Sequence, residues 1–368
     1  KFGINPSRHG WKGFLRTEKA IPMAAVEERN LFDAIVRCAK ETLLLSGDFF
    51  RSTSGLLESW ADPNDWRLEA QHASGICYTP LTTQNHARVG SRERVLDAMR
   101  KCPHFKLQLN ALATKVLLDS KNRAIGVEFL HGEKLYRASP RPAAESGEFH
   151  RVYASKEVIL AGGAFNTPQL LMLSGIGPRE VLDRFGIPVR VDLPGVGRNL
   201  QDRYEVGVVN RMNFSEWDVY KAVRFEPGDP QFEQWQQSRD GIYATNGAVL
   251  SVIKRSSPAE GPPDLYCMAL LTDFQGYYPT YSRSLPRKLN YLTWVVLKAH
   301  TRNRAGEVTL RSADPRDTPH INFHYFEEGA DEDLQAVIDG IHFVRALTAG
   351  FRRNNQMVEE VPGEAVES

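Results

Sequence analysis

No Gly-x-Gly-x-x-Gly in this sequence opens a helix after a strand, the turn that lets a helix N-terminus meet a dinucleotide pyrophosphate. The nearest approach, Gly195-x-Gly197-x-x-Leu200, has leucine at the third glycine and follows Leu193-Pro194. No uninterrupted apolar run is long enough for a transmembrane helix, so no membrane span is expected. The first nine residues lack the apolar core of a secretory signal and contain no methionine, so the chain is expected to begin inside a longer product. Gly-x-Ser-x-Gly is absent, which leaves a serine hydrolase without an anchor. Charge of either sign is not in excess: 46 Lys and Arg stand against 45 Asp and Glu. With no basic patch interleaved with aromatics, nucleic acid is not an expected partner. Cysteine is scarce, and Cys38, Cys77, Cys102 and Cys267 have no metal spacing. Each reads as a buried thiol of a reducing, cytoplasmic protein. No repeat occurs at a solenoid period.

The 368 residues suit two domains with a sizeable core. An arm containing His9-Gly10-Trp11 precedes a helix over 31–45, then turn chemistry at 62–65, then a helix over 91–101 capped by Ser91. From 105 to 161 the pattern is one of short strands: 105–109, 114–118, 124–130, 134–137, 152–154 and 158–161, with hairpin connections at 119–123 and 131–132. Beyond Asp202 the composition turns aromatic, and Trp217, Phe225, Phe232, Trp235 and Tyr243 suggest one wall of a second domain. A central strand is predicted over 289–299 and an amphipathic helix over 331–347, before an acidic tail after Val358. His320 and His324, four apart, fall in an alternating segment; on a strand they would stand roughly 13 Å apart, too far for one ion. No metal ligand is assigned.

The most informative stretch is 157–202. An apolar run at 158–161 reads as a strand buried on both faces, and Gly162-Gly163-Ala164 follows at once. Such small residues let a backbone or a flat ligand approach closely. Thr167-Pro168 reads as a helix start, Ser174-Gly175 as its end, and Gly177-Pro178 to Gly186 as a second helix before an edge strand at 188–191. The pattern alone gives an ordinary α/β arrangement. The literal run Gly162-Gly163-Ala164-x-x-Thr167-Pro168-Gln169-Leu170-Leu171-x-Leu173-Ser174-Gly175-Ile176-Gly177, with Leu193-Pro194-Gly195-Val196-Gly197-x-Asn199-Leu200-Gln201-Asp202, resembles the second signature of the glucose–methanol–choline (GMC) oxidoreductase family. The run Gly306-Glu307-Val308-x-Leu310-x-Ser312-x-Asp314-Pro315-x-x-x-Pro319 is similar to the start of that family's substrate-domain sheet.

The resemblance implies an α+β protein: part of a Rossmann-like FAD-binding domain, and a substrate domain built on a mixed or antiparallel sheet with helices. Its expected boundaries are 1–104 for an N-terminal region of mixed membership, 105–202 for the FAD-domain portion and 203–368 for the substrate domain. It implies FAD as cofactor and oxidation of a small-molecule alcohol, choline dehydrogenase-like, with oxygen or a carrier as electron acceptor. Ala113 would touch adenine through its main chain, and Ala161, Gly162 and Gly163 would line the cofactor. No catalytic residue is assigned, because the family's histidine is expected beyond Ser368. Glu205 matches an acidic residue that faces the substrate cation in the choline-oxidising branch; its competing reading is an ion pair with Arg203. Arg203 stands where the family usually has histidine, and arginine is no base near neutral pH. A second reading is a non-catalytic remnant of the fold that binds no flavin. A flavin domain without its first βαβ unit is expected to leave the strand at 158–161 uncovered on at least one edge or face, exposing apolar surface.

Overall fold

The structure is a computed structural model that describes residues 16–19, 28–29, 32–33, 36–38, 40, 72, 74–77, 79–257, 259–283 and 285–366. The expected arm, the turn at 62–65 and much of the first helix lie outside these residues. In chain order come β1 (Glu18–Lys19), β2 (Gly75–Cys77), β3 (Pro80–Leu81), β4 (Thr83–Gln84), β5 (Ala87–Arg88) and helix α1 (Ser91–Lys101). Next are β6 (Ala111–Leu118), β7 (Ala124–His131), β8 (Glu148–Tyr153), α2 (Gly163–Leu173), β9 (Ile176–Gly177), α3 (Arg179–Arg184), β10 (Val191–Asp192) and β11 (Arg198–Leu200). The remainder is β12 (Glu205–Met212), α4 (Pro230–Ser238), β13 (Ala248–Lys254), β14 (Leu265–Leu270), β15 (Tyr291–Lys298), β16 (Gly306–Thr309), β17 (His320–Asn322), α5 (Ala330–Arg353) and β18 (Met357–Val361). This is the α+β arrangement with antiparallel sheets that was expected.

The chain forms two compact units. Residues 102–202 and 301–330 make one; 203–300, 331–366 and the described residues up to Lys101 make the other. The segment 301–330, expected with the C-terminal domain, therefore packs with 102–202. The cause is local: β16 pairs antiparallel with β11, and the Val308 amide donates to the Gly197 carbonyl at 2.7 Å. Gly197 sits at φ +82°, and a Cβ there would lie 2.0 Å from the Val308 carbonyl oxygen. The glycine that looked like part of a phosphate fingerprint is thus required for this close approach.

In the unit 102–202 with 301–330, β6, β7 and β8 form an antiparallel meander. Asp119 turns the first hairpin by accepting the Lys121 and Arg123 amides at 2.8 and 2.9 Å, with Asn122 left-handed at φ 61°. The second connection is a long loop rather than a turn at 131–132, and the strand expected at 134–137 is part of it; Leu135 is buried there. Residues 105–109 and 158–161 are not strands either. Among the described residues nothing hydrogen-bonds 158–161 into a sheet, and Ile159 is 78% exposed. Exposed apolar surface continues on β8 with Phe149, Val152 and Tyr153. Behind the meander, Met172, Leu173, Val181, Leu182 and Leu310 form a small core that fixes α2 and α3. The edge strand expected at 188–191 is shifted to β10, which pairs parallel with β9.

The other unit is built on a six-stranded antiparallel sheet of order β18-β12-β15-β14-β13-β2, with the predicted central strand β15 inside it. Residues 291–296 are all buried, so both faces of this strand are covered. Helix α5 supplies one cover: Ala336, Phe343, Val344 and Leu347 share a core with Leu292, Trp294 and Val296. Gly340 sits where the helix approaches most closely, since a Cβ there would come 2.3 Å from Val296 Cγ1. The tail is not a solvated acidic run. Glu359 on β18 is buried, and its carboxylate accepts Arg345 Nη2 at 2.7 Å and Arg352 Nη1 at 2.9 Å, tying the strand to α5. Glu359→Gln leaves two arginines poorly matched at a buried site, and is expected to cost about 3–5 kcal/mol in chemical denaturation.

Candidate cofactor and substrate site

Helix α2 begins at Gly163, five residues before Pro168, the expected first helical position, and carries that proline inside it. The Thr167 hydroxyl does not cap the amides that follow it; it accepts the Gly162 amide at 3.0 Å and folds the glycine turn onto the helix. Gly162, the residue before the helix, contributes no side-chain cap. At the other end the buried Ser174 hydroxyl donates to the Leu170 carbonyl at 2.6 Å and accepts the Val116 amide at 2.8 Å. That bridge clamps α2 along β6. Ala113 and Gly162 consequently line one cavity of ≈ 280 Å³, with an apolar floor of Leu112, Leu170 and Leu173. Ala161 and Gly163 lie at its edge in sequence but do not line it.

The cavity's polar wall was not found from sequence. Gln169 is 5% exposed, and its amide works in both directions. Nε2 donates to the Asp317 carbonyl at 2.6 Å, and Oε1 accepts Asn166 Nδ2 at 3.1 Å and the Tyr136 hydroxyl at 3.3 Å. Asn166 Nδ2 also donates to the Tyr136 hydroxyl oxygen at 2.7 Å. Asp317 is fixed in turn by Ser312, whose hydroxyl donates to it at 2.6 Å, and by Arg137. These two partners hold its carboxyl below the usual carboxylate range. Gln169 belonged to the quoted signature, but Asn166 occupied an unassigned place in it and Tyr136 a mispredicted strand. Gln169→Leu would strand the Asn166 amide and the Tyr136 hydroxyl against an apolar wall. Its expected cost is about 2–3 kcal/mol in chemical denaturation.

The ≈ 280 Å³ volume lies just under the range for whole drug-sized ligands, so it suits one ring system of a dinucleotide rather than all of it. An apolar floor of Leu112, Leu170 and Leu173 and the lack of a side chain at Gly162 together fit a flat aromatic group.

In the other unit, Glu205 opens β12 and pairs with Leu297. Cross-strand pairs share a face, so Glu205 lies with Val295 and Thr293 on the face opposite α5. That face carries the Phe274 segment, whose amide donates to Thr293 Oγ1 at 3.2 Å. There Phe274, Tyr277 and Tyr281 make edge contacts at 5.1–6.0 Å between ring centroids. Partial desolvation, and then the charge of Glu205, raise the Tyr277 hydroxyl above its ordinary pKa. The carboxylate therefore stands within electrostatic reach of a tyrosine cluster.

Four of the five residues expected as an aromatic wall do meet: Phe232 contacts Trp235 and Tyr243, and Phe225 contacts Tyr243. Trp217 instead lies in the core and donates to the Tyr291 carbonyl at 2.9 Å. Tyr220, Phe225 and Tyr243 line a second cavity of ≈ 270 Å³. Asp229 organises this wall. Burial alone would raise its pKa, but hydrogen bonds from the Arg224, Phe225 and Gln231 amides and the Tyr243 hydroxyl bring it down to about 2. Because the folded pKa lies below the unfolded value of about 3.9, this stabilisation is complete above that value and is lost as pH falls towards 2. Asp229→Asn is expected to flatten the acid limb of a stability–pH curve across that interval.

His324 does not extend the strand that carries His320. It is left-handed at φ 48°, and its Nδ1 lies 2.6 Å from Glu327 Oε1. Among the described residues, no helix is long and apolar enough to cross a membrane.

The GMC oxidoreductase family profile matches residues 52–205 and again 301–367. The chain belongs to the GMC oxidoreductase family. It is 32% identical over 282 residues to an oxygen-dependent choline dehydrogenase of Pseudomonas putida, covering 73% of this chain and 43% of that protein. It is 31% identical over 300 residues to an alcohol dehydrogenase (acceptor) of the same species, covering 81% and 50%. The chain thus spans about half the length of the curated relatives it matches. Among solved structures it is similar to a formate oxidase of Aspergillus oryzae, with TM-score 0.73 and 23% identity over 96% of this chain and 59% of that one. An FAD-dependent oxidoreductase from Chaetomium thermophilum has TM-score 0.70 and 19% identity over 100% and 62%. At these identities the structural likeness establishes the fold. FAD is the cofactor of the family.

Proposed function

We propose that this chain is part of an FAD-dependent oxidoreductase that acts on the CH–OH group of an alcohol, and that a cationic alcohol of the choline class is its substrate. The observation that supports the first half is the cavity that Ala113 and Gly162 both line, with its apolar floor. In this reading the Ala113 main chain and the Gly162 turn border a ring of FAD, while Ala161 and Gly163 present backbone at the uncapped start of α2, where a partial positive charge favours electron-rich groups. When bound, FAD supplies a two-electron acceptor, so that an alcohol carbon loses hydride as its hydroxyl loses a proton and a carbonyl forms. The second half is supported by Glu205 beside Tyr277. A carboxylate and tyrosine rings are complementary to a quaternary ammonium, which cannot donate hydrogen bonds and is held by charge and aromatic faces.

Two measurements test this. Titrating FAD into the chain while following flavin fluorescence should give saturable binding, weakened roughly tenfold or more in Ala113→Leu, an exposed position lining the cavity, whose thermal midpoint should stay near that of the parent. Absence of saturation would favour the remnant reading. In the active flavoprotein, Glu205→Gln should raise KM for choline roughly tenfold and leave a neutral primary alcohol within about twofold. Equal effects on both alcohols would remove Glu205 from substrate selection.

A further inference from the structure

The β7–β8 hairpin brings together three side chains that the cofactor and substrate reading does not use. His131 and Glu148 are direct cross-strand partners, and His150, two residues along β8, shares their face. One ligand atom from each, imidazole nitrogens and a carboxylate oxygen, lies within 4.8 Å of the other two. His150 Nε2 and Glu148 Oε2 are already 3.4 Å apart. A tetrahedral ion about 2.1 Å from each ligand requires separations of roughly 3.4 Å, so one pair is in place and the third side chain has little distance to close.

The arrangement is held rather than incidental. His150 stacks on its cross-strand partner Phe129, with centroids 5.3 Å apart and planes 19° apart, which orients the ring. His131 meets that ring edge-on at 6.0 Å. The pairing register has no slack: a Cβ on Gly126 would fall 2.3 Å from the Val152 carbonyl oxygen, so the two strands are in closest contact near the hairpin's open end. A slip of one residue between the strands would put His131 and His150 on opposite faces of the sheet.

We propose that His131, Glu148 and His150 form a binding site for a zinc-class divalent ion, with water completing the coordination. Two imidazoles and one carboxylate are borderline ligands that suit such ions better than calcium or magnesium. His131 and Glu148 flank the loop 132–147, so the ion clips the base of that loop. The cost of closing the loop would then be shared with metal binding, and the ion would add to the anchoring that Leu135, Tyr136 and Arg137 already give the loop.

The test is calorimetric titration of the whole chain with Zn²⁺, alongside His131→Ala, His150→Ala and a control, His104→Ala. The expected result is one saturable site with Kd below about 100 µM, weakened roughly tenfold or more in each of the first two variants and unchanged in the control. Co²⁺ bound in place of Zn²⁺ should show d–d bands without thiolate charge transfer, which separates this site from the cysteines, and Zn²⁺ should slow proteolysis within 132–147. Absence of saturable binding, binding that survives either histidine variant, or a thiolate band would overturn the assignment.

Discussion

The cavity at the start of α2 depends on one buried amide. Gln169 reaches three separate stretches of chain: Asn166 on its own helix, Tyr136 in the long β7–β8 connection, and the Asp317 carbonyl in the segment 301–330. A neutral amide is the side chain that can accept at one end and donate at the other without bringing charge into a buried site. The consequence is geometric. Tyr136 is held as one wall, and the loop bearing Asp314 and Asp317 closes the polar side through Arg137, while Ser174 keeps α2 against β6. Asp314, bonded chiefly to Arg316, has its carboxyl brought down to about 2, so it stays ionised and paired with Arg316 and Arg137 throughout the ordinary pH range.

The same logic explains why 301–330 leaves the unit that flanks it in sequence. Paired backbone is the decisive term: β16 contributes its amides and carbonyls to β11 and β17, and Leu310 adds apolar area to the core around Met172. The other unit closes its sheet without this segment, because α5 covers one face and the Phe274 segment lies against the other. Glu205 and its tyrosines lie on the face away from α5, where the helix does not compete for space. Family membership therefore rests on two stretches of sequence, 52–205 and 301–367, that the fold divides differently from the chain order.

What could be read without coordinates was whatever is written in local chemistry. The 91–101 and 331–347 helices, the turn at Asp119 and the central strand near 291–298 all carry their own periodicity or caps, and they form close to where expected. Even so, α1 is entered through Gly90, whose amide donates to Glu93 at 2.8 Å, so Ser91 is the first helical residue rather than the cap. The apolar run at 158–161 misled because a strand is defined by its neighbours: without a hydrogen-bonded partner, β-branched sequence remains irregular and exposed. Glu359 misled for the opposite reason, an acidic run becoming a buried strand once two arginines of α5 met it.

The sequence by itself determined the family, and with it the cofactor, since Gly162 to Gly177 and Leu193 to Asp202 are spelled out contiguously and need no fold to be recognised. It also brought forward Ala113, Gly162 and Glu205, although only by resemblance. The tertiary structure decided everything that depends on residues distant in the chain. It placed Asn166 and Tyr136 on the cavity wall, set Glu205 within electrostatic reach of Tyr277 some seventy positions away, and gathered His131, Glu148 and His150 across a loop. Strand register and burial create those neighbours, and both are properties of the packed chain that no local pattern encodes.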